Sequence, residues 1–320
     1  MKNNMERKDI IPLKDLNLTS RFLFDQVMED AQTQKEALSI IFGREIPLLI
    51  ENETEKELRI SPLIRSVRLD LFSMDEDHVV YNTEMQDYRK PDLAKRSRYY
   101  QGLLDTSLLE PGIPDYNMLN DTYFIMIMTF DWFGYGKYKY TFTPECEEVP
   151  GLRLHDGATR VFLNTKGTNE QEVSAELVEF LHYLENTNDE VAGKAKNSGI
   201  RKIHERVRKV KASEEIGVKY MQAWEEKYFA MQEARETGLA EGLAEGREKG
   251  LAEGRAEGRA EGRAEGRAET LIDFLMDLGT ISEGLRERIM KEKDLNILKK
   301  WTKLAVAAEN VEQFEKSING

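Results

Sequence analysis

The fold is decided by residues 65–104, RSVRLDLFSMDEDHVVYNTEMQDYRKPDLAKRSRYYQGLL. From Arg65 to Met74 apolar and polar residues alternate, which predicts a half-buried strand. The polar run Asp75 to Asp77 predicts a turn, and His78 to Gln86 predicts a second strand. Asp92 is a good N-cap for a helix that follows. The stretch therefore predicts a β-hairpin followed by a helix.

Two acidic side chains on these strands are placed to share one cation. Side chains at positions i and i+2 of a strand point to the same face, so Glu84 and Gln86 project together and Met85 projects away. Asp70 is expected to face away from the leucines on either side of it. Two carboxylates on neighbouring strands can converge on Mg²⁺ or Mn²⁺, with the backbone carbonyl of Met85 as a third ligand. Taken alone, these acids favour solvated strand residues of a hairpin over metal ligands.

Several stretches of the sequence resemble the Rpn family of recombination-promoting nucleases, whose members are also described as transposases and belong to the PD-(D/E)XK nucleases. In chain order they are VRLDLF, YNTEMQ, KRSRYYQGLLD, YFIMIMTFDWFGYGKYKYTF and RVFLNTKG. The resemblance extends from near Leu16 to beyond Tyr183. It implies an α/β, restriction-endonuclease-like fold, in which a mixed central sheet is flanked by helices. It also implies a DNA endonuclease that depends on Mg²⁺, Mn²⁺ or Ca²⁺.

The resemblance assigns roles to the acidic residues of the hairpin. It implies that Asp70 and Glu84 hold the metal together with the Met85 carbonyl, and that Gln86 orients the attacking water. Leu69 replaces the proline of the motif, a residue that carries no chemistry. Gln86 replaces its lysine, which would bring a positive charge to the developing phosphorane. Glutamine offers only neutral hydrogen bonds, so more of the catalysis is left to the metal.

Two basic segments are candidate DNA contacts. The first lies on the helix after Gln86, one loop away from the predicted metal, and this position suits phosphates. The second is Ile200 to Lys211, where apolar residues at helical spacing alternate with cations. A DNA contact and the solvated face of a packed helix are equally compatible with that pattern. The side chains concerned are Lys95, Arg96, Arg98, Tyr100, Arg201 and Lys202.

Composition and pattern divide the chain into successive parts. The first predicted helix, Leu18 to Glu29, carries Asp25 and Glu29, and either acid could join a neighbouring site, although surface positions are expected for both. The predicted parts are an N-terminal arm (1–15), a nuclease domain (16–190), a helical connector (191–236), a four-residue repeat helix (237–269) and a helical tail (270–320).

The repeat reads GLAEGLAEGREKGLAEGRAEGRAEGRAEGRAE from Gly238. As a helix it is intrinsically weak, because each glycine costs roughly 0.5–1 kcal/mol relative to alanine. A period of four also stacks like charges, which is unfavourable within one helix. The glutamate and arginine stripes lie on nearly opposite faces, so the Arg stripe of one helix can meet the Glu stripe of another. This predicts a homo-oligomer or coiled coil; a semi-flexible spacer and a disordered segment are the alternatives.

Net charge, cysteine content and the length of apolar runs limit the classes of function that the sequence allows. A net charge of −13 argues against a general nucleic-acid coat, but it allows a nuclease with a local basic patch. The single cysteine, Cys146, and the lack of an apolar leader at the start predict a reducing cytoplasm. The longest apolar run, Tyr123 to Met128, is too short to cross a bilayer, so no membrane association is expected.

The sequence thus predicts a metal-dependent DNA endonuclease that acts in recombination, mobile-element movement or defence. The alternative from another class is a non-catalytic nucleic-acid-binding or scaffold protein that self-associates through the repeat helix. RNA in place of DNA is a third possibility, because the catalytic face alone does not distinguish the sugar.

Overall fold

The computed structural model describes residues 10–59, 65–109, 112 and 114–319, which form two compact units, Met1–Glu225 and Glu226–Gly320. Most of the predicted N-terminal arm lies outside the described residues. Its end forms a 3-10 turn at Leu13–Asp15, with Leu13 buried. Within the described part of the chain, no helix combines the length and the apolar character needed to span a bilayer.

The first unit is built on a six-stranded mixed sheet. Its central strands are parallel, and an antiparallel strand borders them on each side. The strand Thr122–Met128 is apolar from Phe124 to its end, as expected for a strand covered on both faces. In spatial order the strands are β1 (Leu49–Thr54), β4 (Leu71–Asp75), β5 (Val80–Gln86), β6 (Thr122–Met128), β8 (Ala158–Asn164) and β7 (Lys139–Phe142).

A short second ladder continues the first hairpin beyond the sheet. It pairs β2 (Glu57–Leu58) with β3 (Val67–Arg68), in the same register as β1 with β4. Between the two ladders Glu55 has a positive φ of 52°, and its backbone N–H donates to the carbonyl of Asp70 at 3.0 Å. The single strand predicted for residues 65–74 is therefore wrong, because the strand is interrupted by a bend at Asp70.

Helices cover both faces of the sheet. Side chains of α1, α2, α4, α5 and α6 form one core with the odd-numbered residues of β6. Side chains of α3 pack with its even-numbered residues and with β4. These helices are α1 (Arg21–Met28), α2 (Ala31–Phe42), α3 (Leu93–Leu108), α4 (Ala175–Glu185), α5 (Asp189–Lys194) and α6 (Ser198–Ala212). The predicted α/β class, a mixed sheet flanked by helices, is confirmed.

The long repeat helix and the small helical tail are also confirmed. The helices are α7 (Glu214–Leu278), α8 (Glu283–Lys291), α9 (Leu295–Val306) and α10 (Val311–Asn319). The second unit has its own core, which includes Leu271 and Leu275 of α7, Leu298 of α9 and Phe314 of α10. The repeat contributes Ala264 and Ala268 to this core, whereas residues 233–263 are exposed along their whole length.

Two glycines of the first unit give a matched test of packing. A Cβ at Gly167 would lie 2.3 Å from Cγ of the Tyr138 ring, whereas a Cβ at Gly193, in α5, would meet nothing within 4 Å. We expect Gly167→Ala to destabilise the protein by about 1–3 kcal/mol through overpacking. Gly193→Ala is expected to stabilise it by about 0.5–1 kcal/mol through helix propensity. Urea unfolding of the full-length variants measures both, and equal stability of the two variants would contradict the described packing.

Candidate active site

Two buried carboxylates meet where the hairpin bends. Asp70 lies between β3 and β4 with 2% of its surface exposed, and Glu84 on β5 is fully buried. The backbone N–H of Asp70 donates to Oε1 of Glu84 at 3.1 Å, and the N–H of Met85 donates to Oδ2 of Asp70 at 3.1 Å. Each carboxylate therefore accepts a hydrogen bond from the backbone of the other strand, which links the pair across the bend.

Arg21, at the start of α1, neutralises the first carboxylate. Its Nη2 lies 2.5 Å from Oδ1 of Asp70, and its Nε lies 3.6 Å from Oδ2 of Asp25, one helical turn further on. Asp25 is 6% exposed, and its Oδ1 is buried without a hydrogen-bond partner. The expectation that Asp25 lies at the surface is therefore wrong, whereas Glu29 is exposed as expected.

Arg96, on α3, neutralises the second carboxylate from the other face of the sheet. Its Nη2 donates to Oε2 of Glu84 at 2.7 Å, and its Nη1 donates to Oε1 of Gln86 at 2.9 Å. The amide nitrogen of Gln86 donates to the carbonyl of Tyr88 at 2.6 Å. The guanidinium also lies over the half-buried ring of Tyr100, 5.2 Å from its centroid. Glu84 and Gln86 share a face of β5, as the strand alternation predicts.

Burial changes the proton affinity of the acidic groups. It raises the pKa of Glu84 to about 7, with a further contribution from the charge of Asp70 and an opposing one from Arg96. Burial likewise raises the pKa of Asp25 to about 8, and the charge of Asp70 adds to this rise. The pKa of Asp70 is also raised by burial, against the lowering effect of Arg21. Burial thus makes these carboxyl groups harder to ionise than ordinary ones.

The donors present suit a hard divalent cation. They are carboxylate oxygens, the ligand type that Mg²⁺, Mn²⁺ and Ca²⁺ prefer. The unpartnered Oδ1 of Asp25 is a further acceptor beside them. Across the described ranges no group of three or more acidic, histidine or cysteine side chains is arranged to hold a metal. The candidate centre is therefore a pair, Asp70 and Glu84, and needs further ligands from the backbone or water.

The predicted DNA contacts separate into two groups. Lys95 and Arg98 are exposed on α3, the helix that carries Arg96. Arg201 and Lys202 lie on α6, which packs on the opposite face of the sheet. There Lys202 forms an ion pair with Glu36 at 2.5 Å, and Arg201 donates to the carbonyl at the end of α5 at 2.7 Å. The fold brings the first group towards the carboxylates but not the second.

The bend also changes the orientation expected around Asp70. Leu69 packs in the cluster beneath α3, whereas Leu71 packs in the core beneath α1 and α2. The two leucines therefore lie on opposite faces, so the expectation that Asp70 faces away from both is wrong. The sequence does carry one signal for the buried Asp25, because Arg21 stands four residues before it on the same helix.

The raised pKa values predict a pH dependence of stability in the absence of metal. A carboxyl whose pKa is higher in the folded state stabilises the fold below its unfolded pKa of about 4, and this contribution is lost as the pH rises through the folded value. We therefore expect wild-type stability to fall between pH 4.5 and 8.5. Asp25→Asn, which mimics the protonated acid, should gain about 1–3 kcal/mol over wild type across that range.

Chemical unfolding in EDTA at the two pH values measures this effect. Glu29→Gln, directly after α1 and exposed, is the matched control for loss of a carboxylate, and its stability should follow that of wild type. The raised pKa of Asp25 would be contradicted if Asp25→Asn became less stable relative to wild type as the pH rises.

The profile of the PD-(D/E)XK nuclease family transposases matches residues 48–235, which is more than half of the chain. No curated protein and no solved structure matches the chain. The matched region contains Asp70, Glu84, Gln86 and the whole central sheet, whereas α1, with Arg21 and Asp25, precedes it. The family resemblance of the sequence is thereby confirmed, and the chain belongs to the PD-(D/E)XK nuclease family transposases.

Proposed function

We propose that this protein is a divalent-metal-dependent DNA endonuclease. The observation that carries the proposal is the convergence of Asp70 and Glu84, two buried carboxylates held by each other's backbone at the bend of the hairpin. In the reaction a water oxygen forms a bond to phosphorus and one ester P–O bond breaks. The leaving oxygen takes up a proton, and the attacking water releases one to solvent.

Asp70 and Glu84 would hold Mg²⁺, or Mn²⁺ or Ca²⁺, together with the backbone carbonyl of Met85. A cation bound there lowers the pKa of a water and offsets the charge of the phosphate. Both carboxylates are ionised in that state, so protons compete with the cation. Gln86 is proposed to help orient the attacking water. The free Oδ1 of Asp25 is placed to accept a hydrogen bond from a water in the site.

DNA is the proposed substrate and partner. Lys95 and Arg98 are exposed on α3 and would contact phosphates beside the scissile one. Arg201 and Lys202 would contact DNA only if it also reached α6. The proposed setting is the cytoplasm, in recombination, mobile-element movement or defence. RNA is the alternative substrate, and a comparison of matched DNA and RNA duplexes distinguishes the two.

Plasmid nicking with Mg²⁺, Mn²⁺ or EDTA tests the proposal. We expect cleavage with the metals, none with EDTA, and a loss of about 100-fold or more in Asp70→Asn and Glu84→Gln, because each removes a charged metal ligand while keeping the side-chain shape. Glu29→Gln controls for the loss of an exposed carboxylate and should cut like wild type. A wild type that is inert with every metal, or variants that cut as well as it does, would favour the scaffold alternative.

The repeat favours a second, compatible function in self-association. Residues 233–263 of α7 are exposed on all sides, and Leu239, Leu243 and Leu251 are more than half exposed. Glycine at every fourth position and like charges one turn apart weaken such a helix on its own. The acidic stripe of Glu253 and Glu257 lies nearly opposite the basic stripe of Arg255 and Arg259, since two residues rotate a helix by about 200°. We propose that a second copy pairs its opposite stripe with each.

Charge reversal tests this pairing in the full-length chain. Arg255→Glu/Arg259→Glu and Glu253→Arg/Glu257→Arg should each weaken self-association, because both faces of every copy then carry the same sign at residues 253–259. An equimolar mixture of the two variants should assemble again. Sedimentation velocity measures all three samples. Wild type that stays monomeric at every concentration, or a mixture that does not assemble, would contradict the proposed oligomer.

A further inference from the structure

We infer that Arg96 supplies the positive charge that the Glu-x-Gln motif lacks, by contacting the phosphate that is cleaved. The inference rests on the proposed nuclease function. A lysine two residues after Glu84 would place a cation beside the metal, whereas Gln86 is neutral. The structure brings another cation to the same place from a different element, namely α3.

The position of Arg96 is fixed by its helix. Its backbone N–H donates to the carbonyl of Asp92 at 2.8 Å, in the first turn of α3. From there the guanidinium reaches across to β5 and contacts Glu84 and Gln86 at once, at 2.7 and 2.9 Å. The charge therefore lies between the proposed metal ligand and the side chain that stands where the lysine would be.

Gln86 is suited to hold this arginine. Its amide nitrogen is already committed to the carbonyl of Tyr88 at 2.6 Å, which leaves its oxygen directed at Arg96. A lysine at position 86 has only donors and would repel the guanidinium. Gln86 is thus a positioning residue that holds the guanidinium, and Arg96 carries the positive charge.

Arg96 also retains the means to bind a further group. Its side chain is 20% exposed, so it reaches the surface of the site. The ring of Tyr100 lies under the guanidinium and limits its movement. Donors in this position can contact a non-bridging phosphate oxygen in the planar geometry that guanidinium groups favour.

The chemistry follows from the nature of the guanidinium. It stays charged at all ordinary pH values and cannot act as a base. Arg96 therefore gives up and takes up no proton in the reaction. Its effect is electrostatic, because it stabilises the charge that develops on phosphorus oxygens as the water attacks. Loss of an effect of this kind lowers kcat with little change in the affinity for DNA.

Charge relocation between the two positions is the test. We expect Arg96→Gln to lower kcat for Mg²⁺-dependent plasmid nicking about 100-fold. The double variant Arg96→Gln/Gln86→Lys returns the cation to the motif position and should recover at least about 10-fold over Arg96→Gln. Arg153→Gln, in an exposed loop, is the matched control for loss of an arginine and should cut like wild type.

Two further readouts separate a charge effect from a structural one. DNA affinity in Ca²⁺ should stay near the wild-type value in Arg96→Gln, whereas the midpoint of thermal unfolding should fall, because Glu84 loses its ion-pair partner. Nicking that Gln86→Lys does not restore, at a temperature where Arg96→Gln is folded, would show that Arg96 only holds Glu84 in place and would overturn the inference. The inference would also be overturned if wild type cuts DNA and Arg96→Gln cuts at a rate within about threefold of the wild-type rate. A wild type that cuts no DNA would instead overturn the proposed function, and the inference with it.

Discussion

The burial of Asp70 and Glu84 is the constraint on which the first unit depends. Removing two carboxylates from water costs several kcal/mol for each ion unless it is compensated. The compensation comes from both faces of the sheet, with Arg21 on α1 and Arg96 on α3. Helices on opposite sides are thus tied to one point, and the hairpin bend exists where the two backbones can donate to the two carboxylates. The two carboxylates that we propose as cation ligands are thus each paired with an arginine.

The contact between Arg96 and Gln86 explains how the fold accommodates a glutamine where the PD-(D/E)XK motif has lysine. A neutral Gln86 allows Arg96 to approach Glu84, because its amide oxygen accepts from the guanidinium. The site therefore keeps a positive charge although the motif has lost its lysine. Asp25 adds a third acid from α1, outside the region that the family profile matches. The chemistry of the site is thus distributed over three elements, of which only the hairpin carries the motif.

Local patterns predicted much of the fold. The polar run Asp75 to Asp77 indicated the turn of the hairpin, His78 to Gln86 indicated β5, and Asp92 indicated the start of α3. The repeat was predicted as a helix and lies within α7. Contacts between distant segments could not be predicted. The bend at Asp70 depends on pairing with Glu55, and the burial of Asp25 depends on how α1 meets the sheet.

The central claim is that the carboxylate pair is a cation site, and calorimetric titration of Mn²⁺ into the metal-free protein tests it most directly. At pH 8 the account predicts one site in the wild type and much weaker binding in both Asp70→Asn and Glu84→Gln. At pH 6 it predicts weaker binding with release of protons, seen as a dependence of the heat on the buffer, because Glu84 has a pKa of about 7. The absence of Mn²⁺ binding by the wild type, or equal binding by the variants, would contradict the account.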